Sequence, residues 1–346
     1  MGLIEGNILF VDGTKVLASA SMKNTWTNER CKKAIDQIDE RIEAILQECD
    51  ATDRSEQEQA SLVKLQGELQ DQQRLKAKME QIVAELHRQD QKAVNTTDPD
   101  AGRLRNGGQI GVGYNCQAVV DERHGLIVHT EAVNQSNDVG LFSSQLQGAQ
   151  DTLGKNCERA CADAGYCSPE DLRKSLDQGV DVVVPVVRHS DFREHFTYDA
   201  GKDLYRCPQG HTLRNVGVNN RNKSHMYWIG QPSLCQQCPR FGDCTRSSQG
   251  RRVERPFTEE VRERLEKRYR RADAQRLMRQ RKMRAEHPFG HIKHNLGMKA
   301  FLMRGRQAVQ SEFSVAATCF NITRMIRLMG MDRLIDGLNR LAATRA

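Results

Sequence analysis

Two short apolar runs that each end in an aspartate constrain this chain more than any other feature. Ile8-Leu-Phe-Val11 leads into Asp12-Gly13. That pattern predicts a buried strand, a turn or bulge at Gly13, and a second strand segment. Glu158-Arg-Ala-Cys-Ala-Asp163 repeats it, with Gly165 beyond. Around these runs helices and strands alternate. Asp138 is placed to cap a helix that runs to Gly154. Ser168-Pro169-Glu170-Asp171 opens another that ends near Gly179, with Ser as N-cap and Pro at the first helical position. Asp181–Val187 reads as a further buried strand, and Ile110–Val120 with Leu126–Val133 as a β-hairpin. The class is therefore α/β. An aspartate at the carboxyl end of such a strand is well placed to meet a ligand, although an Asp at a strand-to-turn junction is more often a plain turn residue.

The stretches between and beyond these strands differ in character. In residues 27–92, Ile35, Ile38, Ile42, Ile45 and Cys49 form an apolar stripe at helical spacing. Cys49–Ser55 is a polar break, and Leu62, Leu65, Leu69, Leu75, Met79, Ile82 and Leu86 form a second stripe. A helical hairpin follows, which either self-associates or packs on its own domain. The stretch carries 15 acids and 11 bases, the wrong sign for tracking phosphates. Arg188–Glu254 breaks the α/β rhythm and holds Cys207, then Cys235-x2-Cys238-x5-Cys244. Cys-x2-Cys lets two thiolates grip one tetrahedral metal; Cys207 and Cys244 can complete a Zn²⁺ site, with His211 as a substitute ligand. A metal would also help a segment with few aliphatic residues to fold. Unligated cysteines are the alternative. Eleven cysteines with no signal peptide fit a reducing cytosol, and the run Ile8–Val11 is far too short to span a membrane. No phosphate-binding loop motif is present, so ATP is not implied.

The last third is basic. Residues 251–306 hold 18 Lys and Arg against 7 Asp and Glu, which suits a polyphosphate such as DNA. Phe257–Arg284 reads as one long basic helix, and Val309–Ile326 as a buried helix pair that ends near Gly330. Glu286 is the one acid amid Arg279, Arg281, Lys282, Arg284 and Lys293. Pro288 predicts a kink or a helix start there. Glu286 is either a partner in a solvated salt-bridge network or a metal ligand beside DNA.

Glu286-His-Pro-Phe-Gly-x-Ile-Lys293, then Gly297, Phe301-Leu302 and Arg304-Gly305, resembles the third catalytic block of DDE transposases from bacterial insertion sequences. Val11-Asp12-Gly13-Thr14-Lys15 resembles their first block and Ala162-Asp-Ala-Gly-Tyr166 their second. Asp98-Pro-Asp-Ala101 and Gly113-Tyr-Asn-Cys-Gln117 resemble further motifs of the family. The resemblance implies an RNase H-like mixed sheet flanked by helices. Its first strands would lie in 1–26 and its core in 93–187. The helical hairpin (27–92) and the Cys-rich insert (188–256) would interrupt it, and the catalytic and C-terminal helices would fill 257–346. It also implies two-metal phosphoryl transfer, with Asp12, Asp163 and Glu286 holding Mg²⁺ or Mn²⁺. Lys293, and with it Lys282 and Arg279, would grip DNA phosphate. Asn115 and Gln117, two apart on one strand face, are assigned to the site's floor against the DNA. A Tyr that many relatives carry shortly before the Glu is missing between Leu277 and Arg281.

The implied partners are transposon ends and target DNA, with a homo-oligomer, no membrane, and a bacterial cytoplasmic, nucleoid-associated location. Relatives carry a helical DNA-recognition domain ahead of the first strand. Here eleven residues precede Asp12, so a truncated family member is expected. The rival readings are a non-catalytic DNA-binding or regulatory remnant and a nuclease of the same fold.

Overall fold

The computed structural model describes residues 2–52, 59–88, 92–106, 108–186 and 195–343. Part of the polar break and the boundary at 187/188 lie outside them.

The expected α/β alternation forms one mixed sheet. Strand β1 (Ile8–Leu17) is central. It runs unbroken through Asp12-Gly13, so the expected turn is absent: the long antiparallel partner pairs with it from Leu9 to Leu17 and holds Gly13 extended. That partner follows β2 (Thr25–Thr27), β3 (Ala93–Asn95) and β4 (Gly102–Asn106), and is β5 (Gln109–Asp121). Strand β6 (Ile127–Val133) pairs antiparallel with β5. On the other side of β1, β7 (Arg159–Cys161) pairs with it in parallel, and β8 (Asp181–Val183) pairs in parallel with β7.

Neighbouring residues on a strand point to opposite faces, and both faces are covered. Leu9, Val11 and Val119 pack with helices α3 (Phe142–Leu153) and α4 (Pro169–Asp177) on one side. Phe10, Cys161 and Val183 face the other side, with Tyr114 and Cys116 of β5. Helix α3 does not start at Asp138; it starts at Phe142 after Leu141, and Asp138 is used elsewhere.

Helices α1 (Asn28–Thr52) and α2 (Gln59–Arg88) form the expected antiparallel hairpin. Ile38, Ile45, Met79 and Leu86 are buried, and Arg41–Glu68 and Lys76–Asp39 pair across it. Strands β2 and β3 pair at its base.

The Cys-rich stretch folds around its own antiparallel sheet: β9 (Thr197–Asp199), β10 (Leu204–Arg206), β11 (Thr212–Asn219), β12 (Ser224–Trp228) and β13 (Arg252–Pro256), with short helix α5 (Pro232–Gln236). Its core combines the aromatic Phe196, Tyr205 and Tyr227 with Leu213, Ile229, Cys235 and Val253.

The single basic helix expected over Phe257–Arg284 is two, α6 (Glu259–Tyr269) and α7 (Ala272–Gly290). Val261 and Leu265 pack with Val182, whereas Ala274 and Leu277 pack with Val183. Those two strand residues point to opposite faces, so the chain must turn the sheet's edge between the helices. Helix α7 continues through Pro288, and a π-helical turn at His291–Asn295 follows it. Glu286 therefore lies inside a helix near its end, not at its start. Next come α8 (Arg306–Met329) and, after a break at Gly330 (φ 84°), α9 (Met331–Ala343). No helix among the described residues is long and apolar enough to cross a membrane.

Candidate active site

The first two aspartates stand side by side because of strand register. Phe10 pairs with Cys161 in the parallel β1–β7 ladder, and Asp12 and Asp163 each follow two residues later. Asp12, within β1, and Asp163, just past the end of β7, thus both project toward α7. Asp12 is only 7 % exposed. Asp163 is half exposed and accepts a 2.8 Å hydrogen bond from the Gly165 N–H, which ties it to the turn after β7.

Helix α7 closes this space with a cation. Arg281 Nη2 donates to Asp12 Oδ1 at 3.0 Å and lies 3.4 Å from Asp163 Oδ2. The two carboxylates are therefore no farther apart than those contacts laid end to end. Arg281 is 5 % exposed, and its Nε is buried without a hydrogen-bond partner. Glu286 sits farther along the same helix, on its exposed side. Burial pushes the Asp12 carboxyl up to about 6. Arg281 and the Gly13 N–H pull it down, while the negative charges of Asp163 and Glu286 push it up. All three expected carboxylates therefore share one electrostatic neighbourhood. Among the described residues, however, no group of three or more His, Cys, Asp or Glu side chains is arranged to hold a metal ion as it stands. Arg281 supplies the positive charge between Asp12 and Asp163.

The cations expected at DNA differ in setting. Arg279 and Lys282 are exposed. They lie seven and four residues before Glu286, hence on its face of α7. Lys293 falls in the π-helical turn and is half buried; burial pulls its ammonium down, and Cys116 opposes that. Cys116 pairs with Thr14, two residues from Asp12, so Lys293 sits over the same sheet face as the aspartates. Asn115 and Gln117 depart from expectation. They are 1 % and 0 % exposed and cannot meet DNA. Both donate to Asp138 Oδ1 at 2.8 Å, and Gln117 Oε1 accepts from the Tyr166 hydroxyl. His287 and His291 each pack a ring against Phe320 of α8.

Other quoted motifs brace the site. Tyr114 donates to Asp98 at 2.8 Å and packs edge-on against Phe301. Asp98 and Asp100 accept the backbone N–H groups of Gly305 and Arg306, holding the start of α8.

In the insert, the four cysteines share one region without forming a metal-ready group. Burial pushes the Cys244 thiol up, Arg251 pulls it down, and Cys235, Cys238 and Cys207 each push it up. Backbone N–H groups of Arg240 and Arg251 point at the sulfurs of Cys238 and Cys235, at 3.4 and 3.3 Å. The expected four-thiolate zinc centre is thus not assembled as the side chains stand.

Reading the sequence missed Arg281 and Asp138 as site residues. Arg281 carried a signal: it interrupts the buried stripe Ala274, Leu277, Ala285 and Pro288 of α7, and a charge on a buried face needs partners. Asp138 gave no such signal, because Asp near a helix start is commonly a cap.

No curated protein and no solved structure matches the chain. Residues 206–326 match a family described as the transposase DDE domain. The matched stretch includes Glu286, Lys293 and the four insert cysteines and leaves out Asp12 and Asp163. By that match residues 206–326 are similar to a transposase DDE domain, which supports the resemblance to DDE transposases.

Proposed function

We propose that this chain cleaves and joins DNA at the ends of an insertion sequence by divalent-cation-dependent phosphoryl transfer, with Asp12, Asp163 and Glu286 as the ion-holding carboxylates. The similarity to a transposase DDE domain implies DNA as partner and phosphoryl transfer as chemistry. The observation that carries the finer reading is the placement of Asp12 and Asp163 each two residues beyond the Phe10–Cys161 pair of parallel strands, closed over by the helix that bears Glu286. The sheet order, with β1 antiparallel to β5 and parallel to β7, supports an RNase H-like core.

Hard carboxylate oxygens suit Mg²⁺ or Mn²⁺. Bound there, such ions would activate a nucleophilic oxygen and stabilise the leaving one. The chain's own residues do the rest. Burial of Asp12 among packed side chains excludes water from one side of the site. The Gly13 and Gly165 N–H groups fix the rotamers of Asp12 and Asp163. Arg279 and Lys282, on the Glu286 face, and Lys293 beside the strands neutralise backbone phosphate. Leu46, Val63 and Leu75 stay exposed on the α1–α2 hairpin, which supports self-association through it. The reading includes Zn²⁺ on Cys207, Cys235, Cys238 and Cys244. Their shared neighbourhood and the N–H groups aimed at two of the sulfurs support it, and their present spacing speaks against it.

The test is Mg²⁺-dependent nicking and strand joining of end-labelled DNA that carries the element's ends. Asp12→Asn, Asp163→Asn and Glu286→Gln should each abolish both steps and leave DNA binding intact. Nicking that survives all three substitutions overturns the assignment, and nicking without joining makes the chain a nuclease.

A further inference from the structure

We infer that Asp138 is a fourth carboxylate of the divalent-cation site, reaching the middle of β1 and the end of β7 from the sheet face opposite Asp12. The inference rests on the reading of Asp12 and Asp163 as ion ligands.

Asp138 lies in the loop between β6 and α3, and three buried polar side chains are committed to placing it. Asn115 and Gln117 both donate to its Oδ1, and the Tyr166 hydroxyl donates to Gln117 Oε1, which fixes which end of that amide faces Asp138. Burying such groups is costly unless they are satisfied, and apolar residues would fill the same strand positions without that demand. The network holds Oδ1 and leaves Oδ2 without a hydrogen bond among the described residues.

Two glycines leave the room that Asp138 uses. A Cβ on Gly165 would stand 2.9 Å from Asp163 Oδ1 and 3.4 Å from Asp138 Oδ2. The two carboxylates therefore converge on the space that this missing side chain leaves open. A Cβ on Gly13, the residue after Asp12, would stand 2.4 Å from Gln117 Nε2 and 3.0 Å from Asp138 Oδ1. Gly13 thus admits the network that carries Asp138 to β1. Gly13 is extended in β1 and Gly165 has no left-handed φ, so the requirement at both is space and not backbone freedom.

Positive charge is already held here, by the 5 %-exposed Arg281 between Asp12 and Asp163. Asp138 bears on that pair from the other side.

The experiment is Mn²⁺ titration of the full chain without DNA, followed by electron paramagnetic resonance, on wild type, Asp138→Asn, Asp163→Asn and Asn115→Ala. Asparagine keeps an oxygen for both amide donors, so Asp138→Asn should unfold at the wild-type temperature in chelator. It should bind Mn²⁺ about 10–100-fold more weakly, the range seen when groups around a metal site are removed. Asn115→Ala removes one of the two donors and should give a smaller loss, which also serves if Asp138→Asn folds poorly. If Asp163→Asn loses Mn²⁺ while Asp138→Asn and Asn115→Ala bind like wild type, the inference fails and the two-aspartate reading stands. If wild type itself binds no Mn²⁺, both fall.

Discussion

Asp12→Asn should stabilise the metal-free protein at neutral pH, although it removes a partner of a buried arginine. The Asp12 carboxyl is raised from its ordinary 3.8 to about 6, chiefly by burial and despite Arg281. A group whose pKa is higher folded than unfolded binds more protons in the folded state between the two values. Its favourable contribution is therefore complete below about pH 4 and is lost as pH rises through about 6. A change of this size corresponds to about 3 kcal/mol. Asparagine imitates the protonated form at every pH. The variant should match wild type near pH 4 and exceed it by up to about 3 kcal/mol at pH 7.5. The measurement is equilibrium urea unfolding of both proteins in chelator across that range, reading only the difference between them. Added Mg²⁺ should narrow the gap by stabilising wild type more than the variant. A variant less stable than wild type at pH 7.5, or a difference that does not move with pH, would refute the reasoning. It would mean that the Arg281 pair outweighs the cost of burying the Asp12 charge.

Arg281→Met removes the cation between two carboxylates and should destabilise the metal-free chain by about 3 kcal/mol at pH 8. The loss should shrink at pH 5, where Asp12 can take up a proton, and urea unfolding at the two pH values checks this. Lys293→Ala should lower the slope of log K against log salt for DNA binding by about one; an unchanged slope in a salt-jump gel shift would remove Lys293 from the phosphate contacts. Protein purified without chelator should contain one zinc per chain, lost in Cys235→Ser together with the thermal transition of the β9–β13 module. Elemental analysis that finds no zinc in the wild-type chain rejects the thiolate centre.

Much of the α/β core was legible because its signals are local. Ile8–Val11 and Glu158–Asp163 read as short strands from their small and apolar residues, and Asp12 and Asp163 could be placed at their ends. The hairpin α1–α2 was legible from a stripe whose period survives many turns. The β9–β13 sheet was not, because β11 (Thr212–Asn219) is largely exposed and the module's core combines scattered aromatic and aliphatic residues. The division of the basic helix into α6 and α7 was hidden for another reason. Its cause is the sheet edge between Val182 and Val183, which no residue in the helices announces. Pro288 misled in the opposite direction: the helix accommodates it and relaxes through a π-helical turn one residue beyond Gly290.

The failures at the site share a cause that is itself informative. Local rules put apolar residues where α7 meets the sheet and where β5 is covered on both faces. Arg281 breaks the first rule, Asn115 and Gln117 break the second, and Asp138 declines the helix cap that its position offered. Each departure costs stability in isolation, through an unmatched buried charge or amide. The four converge at the middle of β1 and the end of β7, where Asp12 and Asp163 already stand. Scattered violations would read as tolerated imperfections, but violations that satisfy one another at a single point are expected where function overrides folding. The same argument separates this site from the other buried polar groups. Asp98 and Tyr114 are as deeply buried, yet Asp98 Oδ1 takes the Tyr114 hydroxyl and the Gly305 N–H and so holds the start of α8, while its Oδ2 has no partner among the described residues. Around Asp12, Asp163 and Asp138 three acids face one arginine, which contacts the first two. On the reading proposed above, the balancing positive charge is a hard cation held by these oxygen donors.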